Sequence, residues 1–366
     1  MKKVKQILVM LACMLSSAAI ACTDARIVAK DGAVVIARSM EFATDLASNM
    51  MSSQRGKAFG SGVIAPNGKP AASWKAKYGY LFLDGFNMGV ALDGINEKGL
   101  SFEYLYLPGE TTYQSIPTGK EAQSIPYFLL GDWVLGNFQS IDEVRQALRE
   151  IYVYAQGLPA VENGAVFPVH AAIHDATGKG IVVEFIKGQM NIFDNQVGVM
   201  TNAPRYDWQI TNLRNYVNLT PFNPQPTVVD GIDFVATGQG AGMFGLPGDI
   251  SPPSRFVKTA FLLKTAVPVD NAAAAINLGE HILNNVDIPL GLARAVVDGK
   301  EADELTQWVV FKDLTQKVFY FRTYNNMTLR AVSLDKVDLS EKAPTFRMPL
   351  AGQPYVVDMT KQFVTP

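Results

Sequence analysis

The chain has 366 residues, 48% hydrophobic and 18% charged, with a formal net charge of −2. That is the make-up of a folded globular protein, and it excludes the disordered and low-complexity classes. The absence of any long basic run argues against nucleic acid and anionic membrane as partners, and past the N-terminus no run reaches the roughly 18 apolar residues of a membrane span.

The first element is a leader. Lys2, Lys3 and Lys5 precede an apolar run from Ile7 to Leu15, and Ala19-Ile20-Ala21 is the small-residue pattern behind which a signal peptidase cuts. Residues 1–21 are therefore expected to be removed, leaving 22–366 as a single domain in the periplasm or outside the cell. Cleavage would place Cys22 first in the chain, its thiol beside a free α-amino group. Cys13 departs with the leader, so the mature chain keeps one cysteine and no internal disulfide. The rival reading is a lipoprotein signal acylating Cys22. It wants a Leu-like residue three positions earlier, where Ala19 stands.

Thr23–Ala29 and Ala33–Met40 read as strands joined through Lys30-Asp31-Gly32, a hairpin signal. A two-residue turn would set Glu41 opposite Cys22. A three-residue turn would set Arg38 opposite Asp24, on the face of Cys22. Pleating cannot place Arg38 and Glu41 on one face, since their numbers differ in parity, unless a bulge or strand end intervenes. Residues 52–80 read as a long connection with one strand near its end. Phe86–Leu92 and Leu100–Leu107 flank Asn96-Glu97-Lys98-Gly99 as a second hairpin. Ser124–Phe138 reads as a helix, and Ser140-Ile141-Asp142-Glu143 is a capping box opening another. Val166–His174 and Ile181–Ile186 form a third hairpin, with a short strand at Val197–Thr201. Helices are expected at Tyr206–Leu219, Pro253–Lys264 and Asn271–Asn284, and Leu305–Asp313, Lys317–Thr323 and Leu329–Leu334 make a three-stranded meander. Hairpins at both ends with helices between them indicate an α+β fold of antiparallel sheets covered by helices.

An N-terminal Cys carries its own chemistry. The thiolate attacks an amide carbonyl, and the free α-amino group, with a pKa of about 8 in model compounds, can take the thiol proton. N-terminal-nucleophile hydrolases work this way. A Cys–His hydrolase using His170 or His174 as base is the competing enzyme. The i, i+4 spacing of those histidines would suit a metal on a helix, but on a strand it spans roughly 13 Å, so structural histidines fit better. No metal grouping or cofactor is implied. The five glycines of 238–248 lack the Gly-Lys-Ser/Thr ending of a phosphate loop.

The residues resemble the choloylglycine hydrolase family, which includes bile-salt hydrolases and penicillin V acylases. The resemblance runs through Cys22-Thr23, Ala37-Arg38-Ser39-Met40-Glu41-Phe42, Gly94-Ile95-Asn96-Glu97-Lys98-Gly99-Leu100, Met200-Thr201-Asn202-Ala203-Pro204, Gly245-Leu246-Pro247-Gly248-Asp249 and Ser251-Pro252-Pro253-Ser254-Arg255-Phe256. It implies a four-layer αββα sandwich and hydrolysis of a linear acyl amide through a Cys22 thioester. By resemblance Cys22 is nucleophile and base, Arg38 the cation beside the thiol, Asn202 the oxyanion-site asparagine, Tyr106 a second oxyanion donor through its backbone N–H, and Arg255 an organiser of the site. Glu41 stands where the family usually has Asp to hold the new amino terminus. The long segment between Asn202 and Arg255 implies a homotetramer. The partner is a small acyl amide: a conjugated bile salt, penicillin V or another N-acyl amine. Met50, Phe59, Trp74, Tyr78 and Phe82 are candidate lining for its acyl group, together with Met51 and Phe86. The reading from another class is a non-catalytic exported protein of the same fold that binds amphiphiles.

Overall fold

A computed structural model describes residues 21–158, 164–297 and 300–350, and the leader cleavage segment before Ala21 lies outside them. In chain order the elements used below are β1 (Cys22–Val28), β2 (Val34–Phe42), β3 (Asn49–Ser53), β4 (Tyr80–Leu83), β5 (Asp93–Asn96), β6 (Ser101–Tyr106), α1 (Leu130–Asn137), α2 (Ile141–Leu148), β7 (Val169–His174), β8 (Gly180–Ile186), β9 (Gln189–Asp194), β10 (Val199–Met200), α3 (Tyr206–Asn212), α4 (Pro252–Thr265), α5 (Ala272–Asn284), β11 (Lys300–Asp313), β12 (Val318–Thr323) and β13 (Asn326–Ser333).

The first sheet runs β10-β1-β2-β11-β12-β13, and the second runs β9-β8-β7-β6-β5-β4-β3 and ends on Arg347–Pro349. Alternation along each strand divides the apolar residues by face. Ile36, Val310, Phe319, Ile95, Leu105 and Val182 meet between the sheets. Ala25, Val35, Ala37 and Phe311 turn outward against Ile276 and Leu283 of α5. Phe82, Phe102, Ile173 and Val183 turn outward against Leu130, Val134 and Val144 of α1 and α2. The result is the expected αββα sandwich.

Caps and turns are built as the residues require. Ser140 Oγ accepts from Glu143 N–H at 3.3 Å, and Asn271 Oδ1 accepts from Ala274 N–H at 3.1 Å to open α5. In the Asn96–Leu100 turn Gly99 has φ +78°, and a Cβ there would lie 2.3 Å from the carbonyl oxygen of Leu314, so the turn packs against the other sheet only with glycine. Asn96 is fully used by that turn: it donates to Leu135 and Phe138 carbonyls and accepts from Lys98 and Leu100 N–H.

Three expectations are corrected. Phe86–Leu92 is a loop rather than a strand, with β5 starting at Asp93 and both Phe86 (φ 55°) and Asn87 (φ 56°) left-handed. Ser124–Phe138 is not one helix. Ser124–Pro126 is a short strand paired with Tyr152–Tyr154, because a proline pushes the residue before it toward extended backbone, and α1 starts at Leu130. The helix expected over Tyr206–Leu219 stops at Asn212 and tightens into a 3-10 turn over Leu213–Tyr216.

Candidate active site

The β1–β2 hairpin has the three-residue turn. Ala29 N–H reaches Ala33 O at 2.8 Å, and the register pairs Cys22 with Met40 and Asp24 with Arg38. Cys22, Met40 and Arg38 therefore share the face between the sheets. The thiol of Cys22 is 1% exposed, 3.7 Å from Met40 Sδ and 3.9 Å from Arg38 Nη2. Burial pushes that thiol above its usual range, while the Arg38 guanidinium pulls it back and the Glu41 carboxyl adds to the rise.

Arg38 is itself fixed from several directions. It donates to Tyr104 O at 2.7 Å, lies 3.4 Å from Asp93 Oδ2, and stacks over Trp308 at 4.5 Å. Behind it Lys312 bridges Asp93 (2.6 Å) and Glu103 (2.5 Å), all three fully buried. Asp24, Glu103 and His174 each bring one ligand atom within 4.8 Å of the others. The cation already inside this cluster is the Lys312 ammonium, whose pKa burial lowers but the two carboxylates hold above its usual value.

Glu41 points to the opposite face of β2, as its parity requires, so it is not an ion-pair partner of Arg38. It accepts from Thr306 Oγ1 at 2.8 Å. A β-bulge in β11 between Thr306 and Trp308 makes this possible. Before the bulge Glu304 and Thr306 face Glu41; after it Trp308, Val310 and Lys312 face between the sheets. Arg255, near the start of α4, enters from the Glu41 side and donates to Cys22 O, to Thr23 Oγ1 at 2.6 Å and to Asn202 Oδ1 at 2.7 Å. Asn202 Oδ1 also accepts the Cys22 backbone N–H at 2.7 Å, and Ala21 O accepts Glu41 N–H at 3.0 Å.

Glu304 is a site residue that sequence reasoning missed, because a bulge leaves no side-chain pattern. It is 1% exposed, and burial pushes its carboxyl up to about 8, with Arg255 opposing and Glu41 adding to the rise. An unfolded Glu titrates near 4.3, so the folded chain holds this proton through a pH range where the unfolded chain has lost it. Stability from this group is complete below about pH 4 and is lost as pH rises toward 8. With Ala21 attached, Glu304→Gln is expected to flatten the fall in urea midpoint between pH 5 and 8; an unchanged pH slope would refute this.

Asn202 also donates from Nδ2 to Tyr106 O at 2.8 Å. Leu107 N–H reaches Pro168 O on the β7 side, so ladder alternation turns Tyr106 N–H the other way. There β5 has already ended, Tyr104 N–H to Leu92 O being the bond next to the gap. Asn202 and the Tyr106 backbone thus meet beside Cys22. Neither histidine reaches the thiol: His174 Nε2 is on Asp24 at 2.9 Å, and both nitrogens of His170 are engaged elsewhere.

The cleft above Cys22 has an empty space, open mouth included, of about 680 Å³. Met40, Phe42, Leu46, Phe86, Met88, Val90, Tyr127, Phe128, Leu158 and Phe167 are among its lining. Phe86 was among the expected residues, but the other candidates lie elsewhere. Phe82 is in the core against α1, Met50 lies between the sheets, Phe59 stacks on Trp74 at 5.6 Å, Met51 packs against that same α1-side core, and Tyr78 sits under Lys98. An aromatic residue reads alike in sequence whether it fills a core or a cleft.

The chain is 39% identical over 249 residues to the bile salt hydrolase/transferase of Clostridium perfringens, covering 68% of this chain and 73% of that protein. A solved variant of the conjugated bile acid hydrolase from the same organism superposes with a TM-score of 0.79 at 31% identity, over 92% of this chain and 99% of that one. Penicillin V acylase from Agrobacterium tumefaciens shares the fold, with a TM-score of 0.72 at 24% identity over 90% and 92% of the two chains. With the sequence profile of the linear amide C–N hydrolases, choloylglycine hydrolase family, matching residues 22–347, the chain belongs to that family and is a hydrolase of linear amide bonds.

Proposed function

We propose that this hydrolase is exported, loses residues 1–21, and cleaves a conjugated bile salt or a related bulky N-acyl amine through a thioester at Cys22. The observation carrying the proposal is the setting of Cys22, its backbone nitrogen on Asn202 Oδ1, its thiol beside Arg38 and an apolar cleft above it. Removal of the leader converts that nitrogen to an amine, which takes the thiol proton while Arg38 favours the thiolate. The sulfur attacks the amide carbon, and the new oxyanion lies toward the Tyr106 N–H and the second N–H of Asn202 Nδ2. The proton passes from the α-amine to the departing amine, and water then cleaves the thioester. Glu41 and Arg255 hold the amino terminus from the far face of the sheet. Burial of Cys22 favours a free thiol over a lipid anchor.

The aliphatic and aromatic lining suits a large apolar acyl group, and the relatives named as bile salt hydrolases make bile acids the first choice. The apolar side chains of the segment between Asn202 and Arg255, Phe222 at 77% and Phe244 at 94% exposed among them, support a homotetramer buried on that segment.

Mass spectrometry of the exported protein, denatured and native, together with a panel of glycocholate, taurocholate, penicillin V and acyl-homoserine lactones, tests this reading. The expected result is a tetramer of chains beginning at Cys22 with conjugated bile salts turned over fastest. A retained leader, a diacylated Cys22 or a panel without turnover would overturn it.

A further inference from the structure

The two oxyanion donors belong to different sheets. Tyr106 ends β6 in the second sheet, and Asn202 follows β10 at the edge of the first. Their relative position is therefore not set by any one ladder. A buried pair spans the gap. His170 and Glu184 are directly opposite each other on β7 and β8, by continuation of the Ala171–Val183 register, and both face between the sheets with Ala172 and Val182. His170 is 1% exposed and Glu184 fully buried.

His170 Nε2 lies 2.8 Å from Thr201 O, the carbonyl immediately before Asn202. A carbonyl only accepts, so Nε2 carries hydrogen and donates. His170 Nδ1 lies 3.0 Å from Glu184 Oε1, and the same oxygen accepts Tyr206 N–H at 2.9 Å. The pair thus grips the Asn202 segment on both sides, at Thr201 and at Tyr206. Its other end is set beside the second donor, because His170 pairs with Leu105 and Val169 with Tyr106 in the β6–β7 ladder.

We propose that His170, oriented by Glu184, is a positioning residue for the oxyanion site, bracing the Thr201 carbonyl so that Asn202 on one sheet is held against the Tyr106 backbone N–H on the other. The inference rests on the acyl-transfer reading above. It gives work to a histidine that is neither base nor metal ligand. Oxyanion donors act only when placed within hydrogen-bond range of developing charge, and a shift of about 1 Å costs on the order of 10²-fold in rate.

The test is a cycle on the mature enzyme with His170→Leu, His170→Gln, Asn202→Ala and His170→Leu/Asn202→Ala. His170→Leu is expected to lower kcat roughly 10- to 100-fold with KM little changed. His170→Gln, which can place an amide donor near the Nε2 position, should recover part of that loss. In the Asn202→Ala background the leucine change should cost less than about 3-fold, since the residue it positions is gone. Alkylation of Cys22 by iodoacetamide should run at the wild-type rate in both single His170 variants. Alkylation slowed in step with kcat would make His170 a base for the thiol and overturn the proposal. So would a full multiplicative loss in the double variant, or a Gln variant no better than Leu. Wild-type turnover with an equally active His170→Leu enzyme sinks this inference alone; no turnover in the wild type sinks the acyl-transfer reading and this with it.

Discussion

Cys22→Ser is expected to lower kcat on the best acyl amide by roughly 10³- to 10⁶-fold, the range seen when a nucleophile is removed, with the urea midpoint unchanged. The reason lies in what surrounds the sulfur. Arg38 Nη2 lies 3.9 Å from the thiol, and its charge opposes the rise that burial imposes, pulling the thiol back toward thiolate. A serine hydroxyl in the same place is far harder to ionise, so the same guanidinium gains little. The exchange is nearly isosteric and adds no charge to a residue packed against Met40, which is why stability should hold while chemistry fails. Steady-state kinetics on enzyme whose chain begins at Cys22 make the measurement. A serine variant keeping more than about a tenth of wild-type turnover would place the nucleophile elsewhere, and the amphiphile-binding alternative would then return.

Much of this arrangement could be read before any coordinates, and the parts that could not fail for identifiable reasons. The parity argument separated Arg38 from Glu41 correctly; the turn length did not follow, because Lys30-Asp31-Gly32 supports both a two- and a three-residue connection. Gly32, with φ +87°, closes the longer one. Asn202 was legible from its motif, yet its three simultaneous contacts, to Cys22, Arg255 and Tyr106, join four elements that no local pattern relates. The Phe86–Leu92 run reads as a strand because apolar residues serve a cleft wall as well as a ladder; Asp84 and Asp132, which accept Gly89 N–H and Ala91 N–H, are what hold it as a loop. Glu304 was beyond reach, since the bulge that re-aims it is a count of backbone residues and not a pattern of side chains.

Lys312→Met should be the most destabilising single change among these residues, at roughly 3–5 kcal/mol, the cost of breaking a buried ion pair from one side. Methionine fills the space of the lysine stem, so the loss is not one of packing. It is the exposure of Asp93 and Glu103 to each other in a dry interior, with Asp24 and the Arg38 guanidinium as the remaining charges of the cluster and His174, whose pKa burial lowers, set against Asp24. Burial already pushes the Glu103 carboxyl up to about 8 with Lys312 opposing the rise, so adding Glu103→Gln to the methionine variant should recover part of the loss by removing a buried acid that has lost its cation. Equilibrium urea unfolding of the single and double variants decides it. A single-variant cost below about 1 kcal/mol, or no recovery in the double, would mean that the cluster is already neutralised by bound protons. The same substitution reaches the active site, since Asp93 joins Lys312 to Arg38 at 2.6 and 3.4 Å. A guanidinium released toward an unpaired Asp93 leaves the thiol, so kcat is expected to fall even in the fraction of molecules that remain folded.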